Sequence, residues 1–123
     1  ILKQKLDVFC PCAVGGVLNS KNAAYLKCAI VAGSANNQLE EEYVDALLYK
    51  LGILYAPDYV INAGGLISVV DEMENGKPSK KRILRRISHI PASLKTIFDR
   101  SKKGKKPTGF IANKIAKAIL NNR

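Results

Sequence analysis

Histidine, cysteine, long apolar runs and, in the second half of the chain, acidic residues are all scarce here, and each shortage removes a class of function. One histidine, His89, serves all 123 residues, and no carboxylate lies near it in sequence to orient it as a catalytic base. It is read as a solvent-facing side chain. The three cysteines are an odd number. The Cys10-Pro11-Cys12 spacing is too tight for ordinary metal pairing, and no Cys or His cluster completes four ligands. Buried, reduced thiols are the expectation. No apolar stretch approaches the roughly 18–20 residues of a membrane helix, and no signal pattern opens the chain. A soluble cytoplasmic protein with no membrane partner is therefore expected. Internal repeats are absent.

Acidic residues dwindle to one, Asp99, after residue 76. Residues 1–76 carry five Lys/Arg against nine Asp/Glu, a net −4, whereas residues 77–123 carry fifteen against one, a net +14. A field of that size attracts polyanions such as RNA or anionic lipid. Basic solvent-facing helices are nonetheless common, and specific nucleic-acid binding is not expected from charge alone.

What remains is an ordinary globular composition. A chain of 123 residues with 47% hydrophobic residues buries one modest core. It begins at Ile1, directly on a strand-like run, so a piece of a larger protein is expected. Leu6 to Phe9 reads as a buried strand ending before Pro11. Cys28 to Ala32, bounded by Gly33, reads as a second. Gln38 to Leu51 has Val44, Leu47, Leu48 and Leu51 at helical spacing and Gly52 as its stop. Asn36 or Asn37 is its natural N-cap, with Glu40, Glu41 and Glu42 in the first turn. Ile53 to Tyr55 restarts as a strand and is read as running on through Tyr59-Val60-Ile61. Leu66 to Glu74 then reads as a helix closed by Asn75-Gly76, with Leu66, Val69, Val70 and Met73 on its apolar side. Strands alternating with helices imply a parallel α/β sheet.

Beyond Lys77 the strand signals stop. Ile83, Ile87, Ile90, Leu94 and Ile97 form one helical stripe, but Pro91 falls inside it and predicts a kink or two helices meeting there. Lys102 to Pro107 reads as a basic loop, and Thr108 to Leu120 as a last amphipathic helix. The chain thus divides into an α/β part, residues 1–76, and a basic helical segment, residues 77–123, packed on it.

Three segments stand at strand-to-loop or strand-to-helix junctions: Pro11-Cys12-Ala13-Val14-Gly15-Gly16, Ala32-Gly33-Ser34-Ala35-Asn36-Asn37-Gln38-Leu39, and Tyr55-Ala56-Pro57-Asp58-Tyr59-Val60-Ile61-Asn62-Ala63-Gly64-Gly65. In order and spacing they resemble the second half of the nucleotide-binding domain of the glutamate/leucine/phenylalanine/valine dehydrogenase family, closest to its leucine dehydrogenases. The resemblance covers nearly the whole chain, strong from Asp7 to Glu72 and weaker after. It implies the second half of a Rossmann-type parallel-sheet NAD-binding domain followed by C-terminal helices. Ligands of open parallel sheets bind beyond the carboxyl ends of the strands, where these loops fall.

By the same resemblance, Pro11, Cys12 and Ala13 pass beside the cofactor NAD. Asn36 and Asn37 lie near the nicotinamide and the substrate, Asn62 matches a site residue, and Leu66 and Val69 line the substrate side-chain pocket. Asn suits such a place because its carbonyl and NH₂ satisfy a carboxamide without adding charge. Taken singly, each Asn is more often a cap or turn residue, and Leu66 with Val69 more often a core pair. An apolar pair offers no cation for a γ-carboxylate and favours a branched-chain L-amino acid or its 2-oxo acid over glutamate.

The Lys and Asp that the family uses for catalysis belong to a preceding substrate domain, and neither segment is in these residues. The G-x-G-x-x-G fingerprint is also missing. No catalytic residue is assigned here, and the polypeptide alone is expected neither to catalyse nor to bind NAD tightly. The implied partners are the N-terminal half of the enzyme and, when complete, further copies in a homo-oligomer. Two other readings stand beside this one: a non-catalytic basic binding module or remnant of such an enzyme, and a different Rossmann-type enzyme with similar loops.

Overall fold

Apolar runs hemmed in by Pro and Gly are too short for helices, and three of them pair side by side. In the computed structural model, which describes residues 2–122, these are β1 (Val8–Phe9), β2 (Ile30–Val31) and β3 (Leu54–Tyr55), all parallel in the order β1-β2-β3. Phe9, Val31 and Tyr55 lie in register across the sheet, as do Val8, Ile30 and Leu54. Because side chains alternate along a strand, the first row is buried, whereas Val8 and Leu54 of the second are exposed.

Two helices cover the buried row. The short α1 (Ser20–Ala23) is capped reciprocally by Asn19 and Asn22, each side chain accepting the other's backbone N–H, a feature not anticipated from the sequence. It packs on α2 (Tyr43–Lys50). Leu18, Ala23, Val44, Leu48 and Ile53 complete the core with the sheet.

Helix α2 starts five residues later than its apolar spacing predicts, and neither Asn36 nor Asn37 caps it. The reason lies outside the local pattern. The Gln38 carbonyl accepts from Leu18 N (3.0 Å) and Glu40 N donates to Leu18 O (2.8 Å), so this backbone is committed to a bridge with another segment. Asn37 takes a left-handed conformation, φ 50°. Glu42 rather than an Asn stands at the N-cap, without a side-chain bond, and the acidic residue of the first turn is Asp45.

Tyr59-Val60-Ile61 is helix, not strand. In α3 (Asp58–Ile61) Pro57 starts the turn, its carbonyl taking Val60 N and Ile61 N, while the Asp58 carboxylate accepts Tyr59 N. Helix α4 (Gly64–Asn75) begins two residues before its predicted start and ends, as expected, at Gly76, φ 74°. Pro91 does separate two helices, α5 (Lys80–Ile87) and α6 (Ile90–Gly104), lying in the first turn of α6, where its missing N–H is not needed. The loop expected from Lys102 is shorter: α6 runs to Gly104, and Lys105 ends it at φ 50°.

The last helix, α7 (Thr108–Asn121), docks through its first turn. Thr108 donates to the Tyr55 carbonyl (2.7 Å), and the buried Asp45 carboxylate accepts Phe110 N (3.1 Å). A Cβ on Gly109 would stand 2.7 Å from that carboxylate, which would have to shift to admit it. Ile97, Ile111 and Ala112 form a second core with Val60, Phe98 and Ile115. The thiols depart from expectation: Cys10 and Cys12 are exposed and Cys28 is half-buried. Among the described residues no group of His, Cys, Asp and Glu could hold a metal ion, and no helix is long and apolar enough to cross a membrane.

Candidate functional site

The carboxyl ends of β1 and β2 are pressed together so closely that residue type is dictated. Pro11 is buried, and its carbonyl accepts Ala35 N (3.0 Å). A side chain on Gly33 would collide with the Pro11 backbone. A Cβ on Gly15 would lie 2.8 Å from the Asn36 carbonyl oxygen, and Gly16 N donates to Asn37 O (2.7 Å). The loops after the two strands therefore form one ridge, with Cys12, Ala13, Asn36 and Asn37 exposed along it. The Ser34 hydroxyl and then the Ser34 backbone N–H lower the Cys12 thiol pKa.

The third loop joins through a side chain. Asn62, directly after α3, donates its amide to Asn36 Oδ1 (2.7 Å) and approaches the carbonyls of Ser34 and Ala35 (3.4 Å each). Of the residues singled out from sequence, the structure thus links Pro11, Asn36, Asn37 and Asn62. Ala13 is on the same ridge without a bond to them. Leu66 and Val69 follow on α4, and the structure does not bring them against the Asn cluster. They are also not core: Leu66 is 67% exposed, Val69 53% and Met73 80%, one continuous stripe. The face of α4 that is covered carries Asp71, buried and bound by Arg82 through two nitrogens (2.7 and 3.0 Å) and by Ser79 N (2.8 Å).

Two residues that organise the site went unread in the sequence. Gln38 and Asp58 are both buried, and Asp58 Oδ2 accepts Gln38 N (2.8 Å). No periodicity signals such a bond, because its partners are twenty residues apart. A cavity of about 870 Å³ lies nearby between α2 and α7, but it meets the candidate residues only at Asn37. Its rim of Glu40, Glu41 and Glu42 repels the phosphates of a dinucleotide.

The exposed ridge offers amides, carbonyls and small side chains, with the Cys12 thiol as a weak acid and no carboxylate, imidazole or amine among them. Such a surface can hydrogen-bond and orient an uncharged group. The glycine-rich fingerprint that cradles a diphosphate is not among these residues.

The chain as a whole is similar to known amino-acid dehydrogenases. The family model for Glutamate/Leucine/Phenylalanine/Valine dehydrogenase matches residues 1–118. L-tryptophan dehydrogenase of Nostoc punctiforme is 43% identical over 123 residues, which is 99% of this chain and 34% of that protein. Leucine dehydrogenase of Thermoactinomyces intermedius is 41% identical over 116 residues, 94% of this chain and 31% of that one. The crystal structure of the Nostoc enzyme superposes with a TM-score of 0.92 at 42% identity, over 99% of this chain and 36% of its own. A hetero-hexameric glutamate dehydrogenase from Thermus thermophilus shares the fold, with a TM-score of 0.68 at 21% identity, over 90% of this chain and 28% of that one. The chain spans about a third of the length of the relatives it matches.

Proposed function

From the premise that this chain belongs to the glutamate/leucine/phenylalanine/valine dehydrogenase family, we propose that it forms the nicotinamide side of an amino-acid dehydrogenase acting on a branched-chain L-amino acid. The reaction takes the amino acid, NAD⁺ and water to the 2-oxo acid, ammonium and NADH. NAD, when bound, supplies the hydride acceptor. The chain's own part is positioning. Asn36, Asn37 and the Pro11-Cys12-Ala13 backbone hold the cofactor's carboxamide end. Asn62 stands between cofactor and substrate, and Leu66 with Val69 receives the substrate side chain. In this reading residues 1–76 are part of the nucleotide-binding unit and residues 77–123 the basic helical segment on it. The proton-transferring Lys and Asp and the diphosphate cradle come from polypeptide outside these residues. The complete enzyme works in the cytoplasm as an oligomer.

The observation that carries this reading is the convergence of three matched loops at the carboxyl ends of parallel strands, with Asn62 bonded to Asn36. A second reading, an aromatic substrate, is favoured by the 99% coverage of this chain by L-tryptophan dehydrogenase. Both are tested by joining the preceding two-thirds of the Nostoc enzyme to this chain and following NADH formation. Faster turnover of L-leucine or L-valine than of L-tryptophan and L-glutamate is expected. Preference for L-tryptophan supports the second reading. A folded hybrid inactive on all four returns the chain to a non-catalytic basic module.

A further inference from the structure

Glutamine is seldom buried completely, yet Gln38 is 0% exposed. Removing an amide from water is tolerated only where hydrogen bonds replace those it loses, and its bonds are distributed unequally. Both Nε2 protons are used, on the carbonyls of Gly33 (2.7 Å) and Ala35 (3.0 Å). Oε1 is buried with no partner among the described residues. The reversed amide would set Oε1 against two carbonyl oxygens, so the partners fix the orientation. The position therefore requires the donor half of the side chain and carries the acceptor half at a cost.

The bonds close a ring. Gln38 N binds the Asp58 carboxylate, and the Asp58 carbonyl accepts Asn62 N (2.8 Å). Asn62 donates to Asn36, two residues before Gln38, and approaches the same Ala35 carbonyl that Gln38 clamps. Meanwhile the Gln38 carbonyl takes Leu18 N, tying in the loop after β1. Gly33 and Ala35 are themselves buried, so without the amide the Gly33 carbonyl would lack a donor and the Ala35 carbonyl would keep only the longer bond from Asn62 (3.4 Å), and the loop would turn to find a replacement.

We infer that Gln38 is a positioning residue: through the carbonyls of Gly33 and Ala35 it sets how Asn36 meets Asn62, and thereby the grip on a carboxamide ligand it never touches. The consequence for cofactor binding rests on the function proposed above; the effect on the Asn36–Asn62 pair does not.

The test is Gln38→Met, which keeps length and volume and removes both donors along with the stranded acceptor. Side-chain amide NMR signals are followed in the hybrid enzyme, ¹⁵N-labelled in this segment, free and titrated with NAD⁺. The wild-type Asn62 NH₂ pair should be shifted and slow to exchange. In the variant it should move to free-amide positions while α7 signals and the melting temperature hold, and the NAD⁺ Kd should rise about tenfold. Unchanged Asn62 signals overturn the inference, and displaced signals with a Kd within about twofold overturn its cofactor half. A wild-type hybrid whose residues 33–37 ignore NAD⁺ counts against the proposed function, and the Asn62 signals still decide the positioning role. Should Gln38→Met not fold, exchange of the Gln38 Nε2 protons in the unaltered chain decides. Slow exchange supports the clamp, and fast exchange refutes it.

Discussion

The body of the molecule and the α4–α5 hairpin read alike in sequence and are held together by opposite means. In the body, Leu18, Val31, Val44 and Leu48 are fully buried and the helices lie on the sheet. In the hairpin, the fully buried side chain is a carboxylate, Asp71, while Leu66, Val69, Met73 and Leu84 are exposed. Apolar spacing says that a helix has an apolar face and not what covers it. A clasp of Arg82, Ser79 and Asp71 ties the hairpin beside the half-buried Ile67, Val70, Ile83 and Ile87, reinforced at the surface by Arg86 on Glu74. The clasp leaves the α4 stripe bare at the place where the proposed function puts the substrate side chain.

The contrast can be broken from either side. The largest effect is expected from Leu48→Ala, which removes a buried side chain from the body at a cost of about 2–5 kcal/mol, measured by denaturant unfolding. Gly33→Ala follows at about 1–3 kcal/mol, because Pro11 must move to admit the methyl group. It should also disturb NMR signals of Asn36 and Asn62. Asp71→Ala is expected to abolish hydrogen-exchange protection in α5 while the body unfolds as before.

Acid should reproduce that last result. The Arg82 guanidinium hydrogen bonds, then the Ser79 N–H, hold the Asp71 carboxyl below its ordinary range against the opposing effect of desolvation. Its contribution is therefore present above the ordinary carboxylate pKa and lost as pH falls through the lowered one. Asp45, under the first turn of α7, runs the other way: burial raises its pKa. Its contribution is full below the ordinary value and declines as pH rises through the raised one. Protection of α5 should thus fall in acid before that of α7. The smallest effect is expected from Met73→Ser, within about 0.5 kcal/mol, since that side chain rests on nothing in the body.

How much of this was legible follows from where the determining bonds lie. The runs Leu6–Phe9, Cys28–Ala32 and Ile53–Tyr55 each contain a strand, and Pro91 and Gly76 mark real helix ends, because short-range sterics decide such features. The start of α2 was misread because Leu18, twenty residues earlier, takes its backbone. Helix α3 was misread because Val60 and Ile61 favour strands until Pro57 and Asp58 supply a helix start. The resemblance brought the three loops forward as a site. It did not show that Asn62 reaches Asn36, or that Gln38 and Asp58 hold them, since those bonds join residues twenty or more apart.

The proposed function divides the site into an amide ridge for the cofactor and an α4 stripe for the substrate. Steady-state kinetics of the hybrid enzyme carrying Asn36→Ala or Val69→Ala tests that division most directly. The account predicts that Asn36→Ala raises the KM for NAD⁺ and leaves the ranking of amino acids intact, whereas Val69→Ala changes the ranking and leaves the KM for NAD⁺ alone. If both substitutions move the same constant, or neither moves any, the division is wrong.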